Sequence, residues 1–230
     1  MTGQQLPFDF AFRPADSAGD FIVSPANEAA TAWIDKWPNW SGAGLLLLGP
    51  LGSGKTHLAR VWQQRANAIY IDNQDALNKA LEADTAPLIL DKLDTWAHNA
   101  ERDLFHAYNR AKESNQSLLL CATSAPAYWN LTLPDLLSRL GALPLAWLDE
   151  PDDMLLLSLF AKALSARGVT LSPGVIDYIF PRLSRDAASI PALAAALDKF
   201  ALEAGKGITL PLARVFFAQN SSENPGDSGA

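Results

Sequence analysis

The chain has 230 residues, of which 49% are apolar and 19% charged, and its formal net charge is −7. This composition is typical of one or two globular domains, and the single cysteine excludes a disulfide framework. No apolar run approaches the ~18 residues of a membrane span and the N-terminus lacks a leader pattern, so we expect a cytoplasmic protein. The acidic balance argues against broad non-specific nucleic-acid binding, and we expect any role on DNA to run through another protein.

Five short β-rich runs alternate with helical stretches in the first two thirds of the chain. Several are continuously apolar, which is typical of strands covered on both faces, and the alternation predicts a doubly wound α/β fold with a parallel sheet. A crossover helix between the third and fourth strands is predicted by apolar residues at helical spacing, namely Leu104, Phe105, Tyr108 and Ala111. The predicted strands span residues 45–48, 68–72, 87–91, 117–123 and 143–148.

The pattern changes after residue 148, where helical signals replace strand signals. Acidic residues around Pro151 precede an apolar helical run, Ser172 and Pro173 open a second helix, and an alanine-rich stretch ends at Gly205. A fourth helix is predicted after Pro211. We therefore divide the chain into an N-terminal tail (1–20), an αβα domain (21–150), a small helical domain (151–218) and a disordered tail (219–230).

Residues 49–56 read Gly-Pro-Leu-Gly-Ser-Gly-Lys-Thr and follow an apolar strand, as the P-loop pattern requires. Glycines permit a tight curve of backbone N–H groups around phosphate oxygens, and the following helix adds its positive N-terminal end. Lys55 is expected to reach the outer phosphates and Thr56 to bind Mg²⁺. The predicted phosphate site comprises Gly49, Gly52, Ser53, Gly54, Lys55 and Thr56.

Asp91 ends the third apolar run, where an acidic residue can hold Mg²⁺ through water in P-loop proteins. The alternative is that this aspartate only caps a loop. The next residue is Lys92, where many hydrolysing ATPases have a glutamate that activates water, and Asp94 lies further along the chain. We therefore predict nucleotide binding with weak intrinsic hydrolysis.

The order of these parts resembles the DnaA-like AAA+ ATPases, and within them the Hda family, which regulates the initiator DnaA. Three segments carry the closer match, within a resemblance that covers residues 5–217. They are Leu-Phe-His-Ala-Tyr-Asn-Arg at 104–110, Leu-Thr-Leu-Pro-Asp-Leu-Leu-Ser-Arg-Leu at 131–140 and Pro-Asp-Asp at 151–153. The resemblance implies a five-stranded parallel sheet in the order 5-1-4-3-2 and a small all-helical lid.

The resemblance also implies that Arg139 is an arginine finger, which acts on the nucleotide of a neighbouring protein. A guanidinium can stabilise charge on a transferred phosphoryl group, with a large effect on its rate of transfer. The alternative is a surface arginine that caps the predicted helix 134–140.

The N-terminal residues Gln5-Leu6-Pro7-Phe8-Asp9-Phe10 are similar to the peptide by which such proteins bind the replication sliding clamp. Gln5, Leu6, Phe8 and Phe10 are the predicted contacts. In the alternative interpretation Phe8, Phe10 and Phe12 pack on the domain's own sheet.

The resemblance implies two further groups of nucleotide contacts in the αβα domain. Phe21, Val23 and Asn27 lie in a segment similar to the family's adenine-binding box, although core packing alone is an alternative. Thr123, or its neighbour Ser124, is the candidate polar sensor after the fourth strand.

Two positions depart from hydrolysing relatives. Ala125 stands where the family has an acidic residue, and Ala188 stands where it has the lid arginine. Arg185 lies three residues before Ala188 and is the candidate substitute. Together with Lys92, these departures favour a protein that binds nucleotide but hydrolyses it poorly.

The leading hypothesis is a regulator that binds ADP or ATP with Mg²⁺, attaches to the sliding clamp and promotes hydrolysis of DnaA-bound ATP. The 13 residues after Phe217 are too few for a DNA-binding module, so we expect no direct sequence-specific DNA binding. The main alternative is a self-assembling AAA+ ATPase or helicase-loader-like remodeller that acts through its own turnover. A homo-oligomer is compatible with both hypotheses.

Overall fold

The computed structural model describes residues 21–83 and 86–221. These residues form two compact units, divided between Glu150 and Pro151. The predicted clamp-binding peptide, with Gln5, Leu6, Phe8 and Phe10, lies outside the described residues.

The first unit contains the predicted five-stranded parallel sheet. Its strands are β1 (Gly44–Leu48), β2 (Ile69–Ile71), β3 (Leu88–Leu90), β4 (Leu118–Ala122) and β5 (Leu145–Trp147). Their order is β2-β3-β4-β1-β5, which confirms the order 5-1-4-3-2 implied by the resemblance. In the central register, Leu46 of β1 lies opposite Leu120 of β4 and Leu145 of β5.

Helices cover both faces of this sheet, as the continuous apolar runs predict. Leu45 and Leu47 of β1 point into one hydrophobic core, whereas Leu46 and Leu48 point into the other. Because side chains alternate along a strand, each apolar run supplies two cores at once. The helices are α1 (Glu28–Asp35), α2 (Lys55–Ala66), α3 (Gln74–Ala83), α4 (Leu93–Trp96), α5 (Glu101–Glu113) and α6 (Pro134–Gly141).

The second unit is helical in its described part. It comprises α7 (Asp153–Ser165), α8 (Pro173–Ile179), α9 (Ile190–Glu203) and α10 (Leu210–Ser221), so its last helix extends past residue 218, the predicted end of the domain. Its own core includes Phe160, Leu197 and Phe216. Across both units, the described residues include no helix that is long and apolar enough to cross a membrane.

Candidate functional site

The P-loop connects the end of β1 to the start of α2. Gly52 and Gly54 have φ angles of 77° and 96°, in the left-handed region where glycine is favoured. A Cβ atom added to Gly49 would lie 2.3 Å from the carbonyl oxygen of Leu148 and 3.0 Å from Ser53 Oγ. The loop therefore needs these glycines for its curvature and for its close approach to the end of β5.

Two polar side chains of the loop are suited to bind an anion. Lys55 Nζ donates hydrogen bonds to the carbonyl oxygens of Gly49 and Pro50, each at 2.7 Å. Burial lowers the pKa of Lys55, and the nearby acidic groups, among them Asp91, act in the opposite direction. Ser53 Oγ is buried and has no hydrogen-bond partner in the structure, so it can still bond a ligand oxygen.

Asp91 follows β3 directly and is almost fully buried. Its Oδ2 atom accepts hydrogen bonds from the Thr56 hydroxyl at 2.7 Å and the Tyr70 hydroxyl at 2.6 Å. Its Oδ1 atom accepts the backbone N–H of Lys92 at 2.9 Å. The structure thus brings together the two residues predicted to hold Mg²⁺, and a hydroxyl beside a carboxylate is a ligand set that this ion favours.

Tyr70 is a residue of this site that the sequence did not reveal. It lies in β2, and the guanidinium carbon of Arg60 in α2 lies 3.4 Å above its ring centroid. Burial and the hydrogen bond to Asp91 raise the pKa of Tyr70 well above its usual value. A tyrosine in a β-rich run carries no sequence signal for such a contact, because its partner Asp91 lies 21 residues further along the chain.

The segment after Asp91 engages the end of β4. Lys92 is exposed and adopts a left-handed conformation with a φ angle of 56°. The hydroxyl of Thr123 donates to the Asp94 carboxylate, and the Thr123 backbone N–H donates to the same carboxylate at 3.0 Å. The predicted sensor is therefore held by Asp94, which lies three residues after the Mg²⁺ candidate Asp91 in the chain.

The predicted adenine-binding segment is shaped by Asn27. Its Oδ1 accepts the Ser24 backbone N–H, and its Nδ2 donates to the Ile22 carbonyl oxygen, both at 2.9 Å. Phe21 packs 5.5 Å from the ring of His57 in α2, and Val23 is half-buried. Asn27 therefore orders the segment itself, whereas Phe21 and Val23 provide apolar surface.

Arg185, the candidate lid arginine, pairs within its own unit. Its guanidinium donates a hydrogen bond to the Asp153 carboxylate at the start of α7, and both side chains are largely exposed. This ion pair connects the segment before α9 to the first turn of α7.

Arg139 lies in α6 and is held by residues of α5 and α6. Its Nε and Nη2 atoms donate to the two carboxylate oxygens of Asp135 at 3.1 and 3.0 Å, and Nη1 donates to Asn109 Oδ1 at 2.5 Å. The Arg139 guanidinium lies 4.7 Å from the ring centroid of Phe105, and its side chain is 32% exposed. The hydrogen bonds to Asp135 raise the pKa of Arg139, although partial desolvation acts in the opposite direction.

Two of the three sequence segments that carry the family resemblance thus meet at Arg139. Asn109 and Phe105 belong to residues 104–110, and Asp135 belongs to residues 131–140. The sequence contained a signal for one of these contacts, because Asp135 lies four residues before Arg139 on the same helix. Asn109 gave no such signal, since its contact depends on how α5 packs against α6.

A family model matches the second unit, and a related protein matches most of the chain. The family model described as "Hda, lid domain" matches residues 152–217. An uncharacterized protein of Haemophilus influenzae is 32% identical over 183 residues, which span 72% of this chain and 78% of that protein.

Several solved structures share the fold. Domain III of the Thermotoga maritima replication initiation protein DnaA superposes with a TM-score of 0.72 at 19% identity, covering 90% of this chain and 98% of that chain. AMPPCP-bound DnaA from Aquifex aeolicus gives a TM-score of 0.64 at 18% identity, covering 83% and 66%. The ADP form of Aeropyrum pernix ORC2 gives a TM-score of 0.64 at 15% identity, covering 95% and 75%.

Proposed function

Because the chain belongs to the Hda family of DnaA-like AAA+ proteins, we propose that it regulates chromosome replication by promoting hydrolysis of the ATP bound to DnaA. In this proposal the P-loop holds ADP or ATP with Mg²⁺ and the N-terminal peptide binds the sliding clamp. Arg139 then acts on the nucleotide of DnaA.

The described residues around the P-loop fit a nucleotide with its metal ion. The unpartnered Ser53 hydroxyl, Lys55 and the backbone N–H groups of the loop would hold the phosphates. Thr56 and Asp91 would hold Mg²⁺, which neutralises phosphate charge when it is bound. Two similar structures, of DnaA and ORC2, contain AMPPCP and ADP respectively, which supports nucleotide binding by this chain.

Weak turnover of the chain's own nucleotide forms part of the proposal. An exposed lysine, Lys92, stands directly after Asp91, and Asp94 already accepts two hydrogen bonds from Thr123. Lys92 has no carboxylate, and one oxygen of the Asp94 carboxylate is already engaged by Thr123, so neither residue is well suited to activate water. The bound nucleotide would then act as a structural ligand that orders the αβα unit.

The observation that carries the trans-acting role is the environment of Arg139. Its guanidinium contacts residues of α5 and α6 and remains partly exposed, so it can meet a group from outside the chain. At a γ-phosphate, a guanidinium stabilises the charge of the transition state, an effect of about 10³ to 10⁵ in rate. Arg139 therefore supplies positive charge and hydrogen-bond donors, while DnaA supplies the nucleotide.

The proposal is tested by phosphate release from ATP-loaded DnaA in the presence of sliding clamp loaded on DNA. We expect the wild-type protein to accelerate release, Arg139→Ala to reduce the acceleration by about 10³-fold or more, and Arg102→Ala to retain it. Arg102 is the matched control because it is an exposed arginine of α5. Stimulation that survives in Arg139→Ala would refute the role of this residue.

Two further measurements test the clamp interaction and the alternative function. A Leu6→Ala, Phe8→Ala double variant should lose retention on the clamp and with it the stimulation, because apolar anchors dominate peptide docking. Rapid ATP hydrolysis by the purified protein without DnaA would instead favour a self-acting AAA+ ATPase. An unstimulated reaction, with clamp and nucleotide binding verified, would reject the regulatory role.

A further inference from the structure

We propose that Asp135 and Asn109 are positioning residues for Arg139, which fix its guanidinium in one orientation before a partner's nucleotide arrives. This inference rests on the proposed action of Arg139 on that nucleotide. The inference goes beyond the proposed function because it gives a role to two residues that do not themselves contact a phosphate.

The hydrogen bonds of the guanidinium divide its donors into two sets. Arginine carries five N–H groups in a rigid plane. Three of them donate to protein oxygens, from Nε and Nη2 to Asp135 and from Nη1 to Asn109. One N–H on Nη1 and one on Nη2 therefore remain for another acceptor, and paired donors of this kind suit the oxygens of a phosphate.

The orientation is set from two helices at once. Asp135 lies one turn before Arg139 on α6, whereas Asn109 reaches it from α5. The rings of Phe105 and Tyr108, also on α5, lie 4.7 and 5.7 Å from the guanidinium carbon. Four contacts from two directions restrict the rotamers of a long side chain, so less freedom remains to be lost when the partner binds.

Asp135 could also act in the opposite way, as an acceptor that competes with phosphate for Arg139. Three features favour positioning. The carboxylate engages Nε and Nη2 and leaves donors on both terminal nitrogens, and the third acceptor, the Asn109 amide, is neutral. Asp135 is also 63% exposed, so water screens its charge from a phosphate nearby.

The experiment is the same phosphate-release assay, run over a range of concentrations of this protein. An Asp135→Asn variant keeps the size of the side chain but replaces one acceptor oxygen with an amide nitrogen, which donates. The amide therefore cannot accept hydrogen bonds from both Nε and Nη2 of Arg139 as the carboxylate does. We expect the maximal stimulated rate to fall on the order of tenfold, because a misdirected catalytic group acts far less efficiently. The concentration for half-maximal stimulation should stay within about twofold, since the loss of one exposed charge changes the docking energy little.

Matched variants separate positioning from other effects. Asp135→Glu restores a carboxylate four residues before Arg139 and should recover part of the rate. Glu113→Gln, which removes an exposed acid from α5, should have no effect. A faster reaction in Asp135→Asn would overturn the proposal in favour of competition, and an unchanged rate would overturn it outright.

A second measurement needs no partner. In the isolated protein, ¹⁵N relaxation should give the Arg139 Nε–H an order parameter above about 0.6, and Asp135→Asn or Asn109→Ala should lower it toward the value of exposed Arg102. Equal mobility of Arg139 and Arg102 in the wild type would refute the positioning role, regardless of the result of the assay with DnaA. Failure of the proposed function has a different signature, in which neither the wild type nor Arg139→Ala stimulates DnaA.

Discussion

Asp91 is the residue on which the geometry of the candidate nucleotide site depends most. Its carboxylate accepts hydrogen bonds from Thr56 in α2, Tyr70 in β2 and the backbone of Lys92. Its carbonyl oxygen accepts the indole N–H of Trp96 at 2.8 Å. Because four groups fix one buried residue, the carboxylate is oriented by the protein rather than by a ligand.

The Tyr70 contact predicts how stability depends on alkaline pH. The folded state raises the pKa of Tyr70, so above about pH 10 the unfolded chain loses this phenol proton while the folded chain keeps it. The unfolded state then binds fewer protons, and the free energy of unfolding falls as pH rises through this range. In Tyr70→Phe this contribution to the pH dependence disappears, so its stability should decline less steeply from pH 9 to 11 than that of the wild type.

Urea unfolding across that pH range measures the difference. Tyr128→Phe is the control, since Tyr128 is 76% exposed. Its curve should run parallel to that of the wild type. Parallel curves for Tyr70→Phe and the wild type would show that the Tyr70 hydroxyl does not carry the effect.

At the scale of elements, the sequence predicted whether a segment forms a helix or a strand. It predicted less well which segments contact each other. Helices α6 and α8 begin at prolines with an extended residue before them, and the predicted strand 87–91 contains β3. These signals are local, so they are visible in the chain itself. The neighbours of each strand and the contact of Asn109 with Arg139 arise from packing between remote segments, and the order of the strands followed from family resemblance alone.

The start of α7 provides a test of one local signal. Asp152 precedes the helix in an extended conformation, and its Oδ1 accepts the Leu155 backbone N–H at 2.7 Å. Asp152→Ala leaves that N–H without its cap and should lower the free energy of unfolding of the lid by about 1 kcal/mol. Far-UV circular dichroism during urea unfolding reports this change. Asp152→Ser retains a capping oxygen and should keep most of the stability, so an equal loss in both variants would contradict the capping role.

At the scale of the whole molecule, the two units have separate hydrophobic cores. The cores of the first unit draw on its sheet and the helices on both faces, whereas residues such as Phe160 and Leu197 form the core of the second. The tryptophans are also divided unequally, because every one precedes Pro151. They are Trp33, Trp37, Trp40, Trp62, Trp96, Trp129 and Trp147. Tryptophan fluorescence therefore reports directly on the first unit, and helix content reports on both.

Separate cores predict separable unfolding transitions. Phe160 is 1% exposed within the lid core, so Phe160→Ala should destabilise the lid by about 3 to 5 kcal/mol. Circular dichroism should then show an early loss of helix at low urea, while the tryptophan fluorescence midpoint stays at its wild-type value. Leu202→Ala, at a lid position that is 72% exposed, should change neither probe appreciably. If the fluorescence midpoint of Phe160→Ala moved together with the helix signal, the lid and the αβα unit would unfold as one cooperative body, and a defect in the lid core would also weaken the nucleotide site.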